Sequence, residues 1–452
     1  MLDLLEWVDA AEAKPPRRHA VPHAALLAAL ASDGDSRLAI DPATGANRYL
    51  CPPGPAPTTV GVSSCTASPI SASAFAAARF AFEALASAPS PASRQRALEG
   101  LAASVRARLL QHHGVAGLAD IVLCPSGTDA ALLLAALLAS ERPGMPVTNV
   151  IPCHAETGRG IALAVRGMEF LDGPADLRAR LGDHARSLDG SAFAAMEVPL
   201  RRSQPGRPPA PRPAEALNEA FATAAAGHAR PVVHLVHGSK TGLVAPADPP
   251  PGAEVVVDAC QGRIGPVALR GYLARGWPVM VTGSKFHGGP PFCGALLLPR
   301  GRWGGLRQPP ARLGVALRWL AALDGMDRFA AVADPGAIVA EQGAAIMLAI
   351  QSLPGLKLVA GMPRHGDAWH EQPTIFTFAM RRPGDPGRFR TAAELRGPYC
   401  ALARQGFLLG QPVELGPDCG GLRIAIGTGD VADPSRLAGL DGVFAALADH
   451  RS

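Results

Sequence analysis

Short, largely apolar runs recur through the middle of this chain, and the first two are followed by a helical pattern. They are Ile121-Val122-Leu123, Asn149-Val150-Ile151, Pro231-Val232-Val233-His234-Leu235-Val236, Val255-Val256-Val257 and Val279-Met280-Val281. A strand with one face in water alternates apolar and polar residues, whereas a strand buried on both faces is apolar throughout. Such strands, with helices between them, build a parallel sheet covered on both sides. The expectation is therefore an α/β domain over roughly 115–300.

Outside that span the patterns differ. Residues 22–31 and 71–110 carry helical periodicity, and the Arg/Pro-rich stretch 201–213 reads as a surface loop. A second unit starts near Arg302, with helix patterns at 312–323, 335–352 and 391–404 and apolar runs at 374–378 and 422–426. It reads as a smaller α+β domain. The expected organisation is an N-terminal segment over 1–110 packing on both domains, a large α/β domain over 111–302 and a small domain over 303–452.

Composition removes several classes. A hydrophobic content of 48% and a charged content of 18% in 452 residues describe a globular chain with a large core. The net charge of +5 is spread out and not interleaved with aromatics, so no nucleic-acid partner is expected. The eight cysteines form no CxxC pair, which argues against a zinc ribbon or a thioredoxin motif. No metal site is expected. The acidic start, Met1 to Trp7, lacks a basic n-region. The longest apolar helix candidate, 130–139, is shorter than the roughly 20 residues a bilayer requires. A cytoplasmic protein with no membrane partner is the expectation.

Chemistry enters with the lysines. The chain uses arginine freely, yet it holds only Lys14, Lys240, Lys285 and Lys357. A guanidinium stays protonated, while a lysine amine can lose its proton and attack a carbonyl. Lys285 follows the Val279-Met280-Val281 run and precedes the turn Gly288-Gly289-Pro290-Pro291. It reads as a Schiff-base lysine. Ligands of an open parallel sheet bind at the carboxyl ends of the strands. The other runs end in polar residues suited to one cofactor. Ser126-Gly127-Thr128 opens a helix, where backbone N–H groups and hydroxyls can cradle a phosphate or simply cap the helix. Asp258-Ala259-Cys260-Gln261 follows three valines, so Asp258 is expected at a strand's carboxyl end and partly buried, where it either caps a turn or needs a cationic partner. Thr282 lies three residues before Lys285.

This ordered set resembles the fold-type-I enzymes that use pyridoxal 5′-phosphate (PLP), most closely the class V aminotransferase and cysteine desulfurase group. The carrying features are an Asp-x-x-Gln at a strand end and a Thr-x-x-Lys, with Asp258 and Lys285 separated by 27 residues. The resemblance implies an α/β fold of the PLP-dependent transferase type, mostly parallel, with a smaller α+β C-terminal domain. It implies that Lys285 bonds PLP and shuttles the substrate α-proton. Asp258 would pair with the pyridine nitrogen, Gln261 would bond the ring hydroxyl, and Ser126, Gly127, Thr128 and Thr282 would hold the phosphate. His154 takes the place of the ring-stacking histidine, and Arg423 that of the arginine gripping the substrate α-carboxylate. The chain departs from the group at His237-Gly238-Ser239-Lys240, where the desulfurase branch usually has an asparagine. Ser239 and Lys240 are assigned to the substrate; Lys240 has a carboxylate, the cofactor phosphate and solvent open to it. The segment Val62 to Ser68 is placed at the mouth of the site. Cys419 in a loop, and next Cys400 in a helix, are the candidate reactive thiols. The expected activity is an aminotransferase acting on an amino acid. The alternative is a lyase performing β-elimination, C–S cleavage or cysteine desulfurization, and a non-catalytic PLP-binding protein ranks last. A homodimer is implied.

Overall fold

The computed structural model describes residues 22–170, 181–188, 192–304, 306–361 and 365–449. Each apolar run of the sequence forms a strand. Ala119–Cys124, Val147–Pro152, Pro231–His237, Glu254–Ala259 and Val279–Thr282 share one sheet with Phe193–Val198, Val244–Ala245 and Gly294–Pro299. Across this sheet the order is Ala119–Cys124, Gly294–Pro299, Val279–Thr282, Glu254–Ala259, Pro231–His237, Val147–Pro152 and Phe193–Val198. Gly294–Pro299 runs antiparallel to both neighbours, and Val244–Ala245 pairs antiparallel to Pro231–His237. The other ladders are parallel. The sequence reading did not name Gly294–Pro299 as a strand, although Ala295-Leu296-Leu297-Leu298 is an apolar run.

Both faces of the sheet are covered, which is why its strands are apolar throughout. The helix Gly127–Glu141 is buried from Ala130 to Ala139 and packs on one face with Val122, Val256 and Met280. Helices Ala72–Ala86, Pro91–His112 and Leu313–Ala330 bury Ala78, Leu109 and Trp319 against Val257 and Val281 on the other. The last of these helices falls in the stretch assigned by sequence to the second unit. In space it covers the first sheet, because its buried face is complementary to the two N-terminal helices.

The second sheet has the order Val60–Val62, Phe407–Gly416, Cys419–Ala425, Ile375–Arg382 and Leu356–Leu358, with Asp385–Phe389 pairing to Ile375–Arg382. Helices Pro335–Ser352, Arg396–Arg404 and Leu440–Asp449 pack on it around Phe378, Tyr399 and Leu447. Its edge strand Val60–Val62 comes from the N-terminal segment and pairs in parallel with Phe407–Leu409.

Two local expectations are corrected. Residues 201–213 are a hairpin of strands Arg201–Gln204 and Arg207–Pro211, not a loop. Gly206 turns in the left-handed region at φ +64°, and the two strands stand apart from both larger sheets. Prolines there withhold no hydrogen bond from a wider ladder. Cys419 begins the strand Cys419–Ala425 and is buried, not in a loop. Among the described residues no helix is long and apolar enough to cross a membrane.

Candidate functional site

Parallel strands deliver their carboxyl ends to one edge of a sheet, and there a cavity of about 490 Å³ opens. Ser126, Gly127, Thr128, His154, Lys240, Asp258, Gln261, Thr282, Lys285 and Arg423 all line it. Ser239 does not. Its buried hydroxyl donates to Glu156 Oε2 at 2.6 Å, and it is Glu156 that lines the cavity.

One end of the cavity is the start of the helix Gly127–Glu141. Ser126 caps it, accepting from the Asp129 N–H at 3.2 Å and donating to the Asp129 carboxylate at 2.6 Å. Its side chain is thus committed to the helix. Gly127 has no room for a side chain, since a Cβ would lie 2.7 Å from Cys260 Sγ. Thr282 donates to the Cys260 carbonyl at 2.6 Å, which keeps its oxygen as an acceptor. Free backbone N–H groups at a helix N-terminus favour an anion here.

Asp258 is buried at the end of its strand, and one oxygen accepts the Cys260 N–H at 3.0 Å. It forms no ion pair with any described residue. Gln261 is fixed at both ends of its amide: Nε2 donates to the Cys65 carbonyl at 3.1 Å, and Oε1 accepts from Arg263 at 3.0 Å. Lys285 Nζ has no hydrogen-bond or ion-pair partner among the described residues. Burial pushes its amine below the ordinary lysine value; Arg423 and Arg263 add to this and Asp258 opposes it. A half-buried amine and a buried carboxylate therefore share the cavity without pairing.

Arg423 reaches the cavity from the second sheet. Its guanidinium donates only to neutral oxygens: Gln411 O at 2.8 and 3.2 Å, Thr66 Oγ1 at 2.8 Å, Lys240 O at 3.1 Å and Cys65 O at 3.4 Å. No described carboxylate compensates its charge. His154 sits at the mouth with an exposed ring, held by Glu197 at 3.0 Å and Glu414 at 3.3 Å. Cys65 and Thr66 line the cavity from the segment placed by sequence at its mouth. Cys400 and Cys419 do not line it.

No family model and no curated protein matches the sequence. Solved structures do match in three dimensions. A lysine-to-alanine mutant of C-DES with glycine covalently linked to its PLP cofactor aligns with TM-score 0.56 at 14% identity, over 86% of this chain and 96% of that one. The cystine C–S lyase C-DES in complex with its reaction product, cysteine persulfide, gives 0.54 at 15% identity over 86% and 97%. The Escherichia coli cysteine desulfurase CsdA gives 0.52 at 15% identity over 86% and 95%. The fold is fold type I. At such identities the likeness is one of architecture, and the site must be argued from its own residues.

Fold type I explains which cavity residues the sequence did not reveal. Arg37, Arg48 and Tyr49 come from the N-terminal segment, and Gln411 from the second sheet. No local pattern marks them, because only packing brings those segments to the sheet edge. Glu156 was also passed over. Buried within the turn after Val147–Pro152, it accepts from Arg201 at 2.6 Å, Ser239 at 2.6 Å and Thr241 at 2.7 Å. A buried carboxylate persists only when paired and fully bonded, and here the pairing ties three loops together.

Proposed function

We propose that this chain is a PLP-dependent enzyme acting on an amino acid through Lys285, and that its reaction is a lyase cleavage at the β-carbon. The carrying observation is the unpaired, half-buried amine of Lys285 in one cavity with the unpaired buried carboxylate of Asp258 and the N-terminus of Gly127–Glu141. These residues fit PLP. The helix start with its side-chain-free Gly127 suits the phosphate, Asp258 suits the protonated pyridine nitrogen, and Lys285 suits the aldehyde. When bound, PLP withdraws electrons from the α-carbon of an amino acid joined to it. The chain does the rest. Asp258 keeps the ring nitrogen protonated, Gln261 is held by Arg263 to meet the ring hydroxyl, and Lys285 takes the α-proton. Arg423 supplies the charge that draws the substrate carboxylate.

Two considerations favour a lyase over the aminotransferase expected from sequence. The architectural neighbours above include a cystine C–S lyase and a cysteine desulfurase. No observation on this chain is specific to transamination. Within the lyases, a persulfide formed on the protein is not supported at the thiols named by sequence. Cys419 is buried off the cavity, with burial pushing its thiol up to about 11, and Cys400 is off the cavity too. Sulfur is better served by leaving on the substrate fragment.

The test is spectroscopic. The protein should take up PLP and turn yellow, and borohydride should bleach it and tag Lys285. Adding single amino acids and sulfur amino acids should then release a 2-oxo acid, ammonia and a sulfur product. Conversion of the cofactor to its amine form instead would restore the aminotransferase reading.

A further inference from the structure

Two of the chain's four lysines line the same cavity. Lys357 is exposed on a strand of the second sheet, and Lys14 lies outside the described residues. Lys240 is held there with care. Its N–H donates to Glu156 O at 2.7 Å, and its carbonyl accepts from Arg423 at 3.1 Å. The residues on either side, Ser239 and Thr241, are both bound to the Glu156 carboxylate that Arg201 neutralises. Its Nζ donates to a single neutral acceptor, the His154 carbonyl, at 2.8 Å. No described residue claims its other two protons.

We propose that Lys240 is the acid that protonates the leaving group at the β-carbon. This rests on the lyase reading above. A fixed positive charge is already present in Arg423, so a second cation beside it would add little. What lysine adds is a transferable proton, which a guanidinium does not give up. Other cavity groups are poorly suited. Both nitrogens of the His154 ring are engaged by Glu197 and Glu414. Burial raises the Cys260 thiol and the Tyr49 phenol. Lys285 is occupied with the cofactor and the α-proton.

The charged groups facing Lys240 act in the same direction, with one exception. Burial first, then Arg423, Arg159 and Lys285, push its ammonium down to about 7; Glu156, engaged by Arg201, opposes them. An acid poised near neutrality gives up its proton and regains it from water most readily. The step balances. Lys285 takes the α-proton, the electron pair of that C–H bond forms a Cα–Cβ double bond, and the bond from Cβ to sulfur breaks with its electron pair leaving on sulfur, which takes the proton from Lys240. Lys240 is then reprotonated by water, and hydrolysis of the remaining fragment yields pyruvate and ammonia.

The experiment compares wild type, Lys240→Met and Lys240→Arg on two probes, S-ethylcysteine and S-(4-nitrophenyl)cysteine. Their leaving thiols differ in basicity, and only the ethanethiolate needs a proton to depart. Both variants should lose about 100-fold or more on S-ethylcysteine and less than about tenfold on the nitrophenyl conjugate. All three proteins should stay yellow and reducible at Lys285. Independently of turnover, competitive acetylation of the cofactor-free chain, read by mass spectrometry, should show Lys240 half-reactive near pH 7. Full activity in Lys240→Arg would overturn the acid role, since fixed charge would then suffice. So would equal losses on both probes, or acetylation of Lys240 only at strongly alkaline pH. A colourless wild type would overturn the PLP reading together with this one. A yellow wild type cleaving neither conjugate would overturn the lyase reading and the acid role, leaving the cofactor assignment standing.

Discussion

Two hollows of nearly equal volume, about 490 and 480 Å³, lie at opposite ends of the large sheet. Both are lined by charged residues, yet they differ in how the charges at their strand ends are matched; Glu156, Arg37 and His154 are paired at the carboxyl end too. At the amino end Arg230 bridges Glu141 at 2.6 Å and Glu254 at 2.9 Å, and Arg302 joins the same two carboxylates. Two arginines meet two glutamates, and the charge is spent inside the protein. At the carboxyl end Lys285, Asp258, Arg48 and Arg159 have no ion-pair partner among the described residues, and Arg423 meets only neutral oxygens. Glu254 and Asp258 belong to one strand, four residues apart, and fall on opposite sides of this divide. Charges that are paired hold a fold; charges left unpaired in a cavity are kept for something that arrives later.

The comparison can be broken at either end. The largest effect is expected for Lys285→Ala, which should abolish reducible cofactor and turnover while leaving the thermal midpoint of the apoprotein in place. Arg230→Met should do the reverse. Removing one partner of a buried network costs about 3–5 kcal/mol, read as a lower unfolding midpoint, with PLP affinity unchanged. If Arg230→Met lost PLP binding at unaltered stability, the division would be wrong. Asp258→Asn should lower turnover about 10- to 100-fold, the worth of a charge-assisted hydrogen bond of about 1.5–3 kcal/mol, with little change in apoprotein stability. The smallest effect per group and per pH unit is a slope that belongs to neither end. Burial holds His113 and His234 neutral, lowering each from 6.5 to about 4. The unfolded chain therefore binds protons first as pH falls. Stability should be whole above about pH 6.5 and decline toward pH 4, by up to about 1.4 kcal/mol per pH unit for each histidine. Chemical denaturation at several pH values would check this, and a flat profile would contradict the burial of these rings.

The five apolar runs were legible because burial on both faces leaves an unmistakable signature, and each became a strand of the large sheet. Phe193–Val198 was not, because it is an edge strand with exposed positions and no continuous run. Val60–Val62 was not, because three residues pairing with Phe407–Leu409 leave no local trace. At the site, ten of the eleven assigned residues reach the cavity. Ser239 does not, because a polar residue in a strand-end loop reads the same whether it faces a ligand or a buried carboxylate. Glu156, the carboxylate in question, lies 83 positions away in the chain. Cys419 was read as a loop thiol because Gly and Pro surround it, whereas pairing with Phe407–Gly416 draws it into a strand.

Sequence alone determined that lysine stands at 240 and 285 in a chain that otherwise uses arginine, and thereby which side chains have a proton to give or an amine to bond. It also determined the order of Gly127, Asp258, Thr282 and Lys285 along successive strand ends. Only the tertiary structure decided that both lysines face one cavity. The strands preceding them, Pro231–His237 and Val279–Thr282, flank Glu254–Ala259 in parallel, so their carboxyl ends emerge on the same edge. The second sheet then closes Arg423 over that edge, and burial there, with the charge of Arg423 added to it, is what makes Lys240 and Lys285 different from lysines in water.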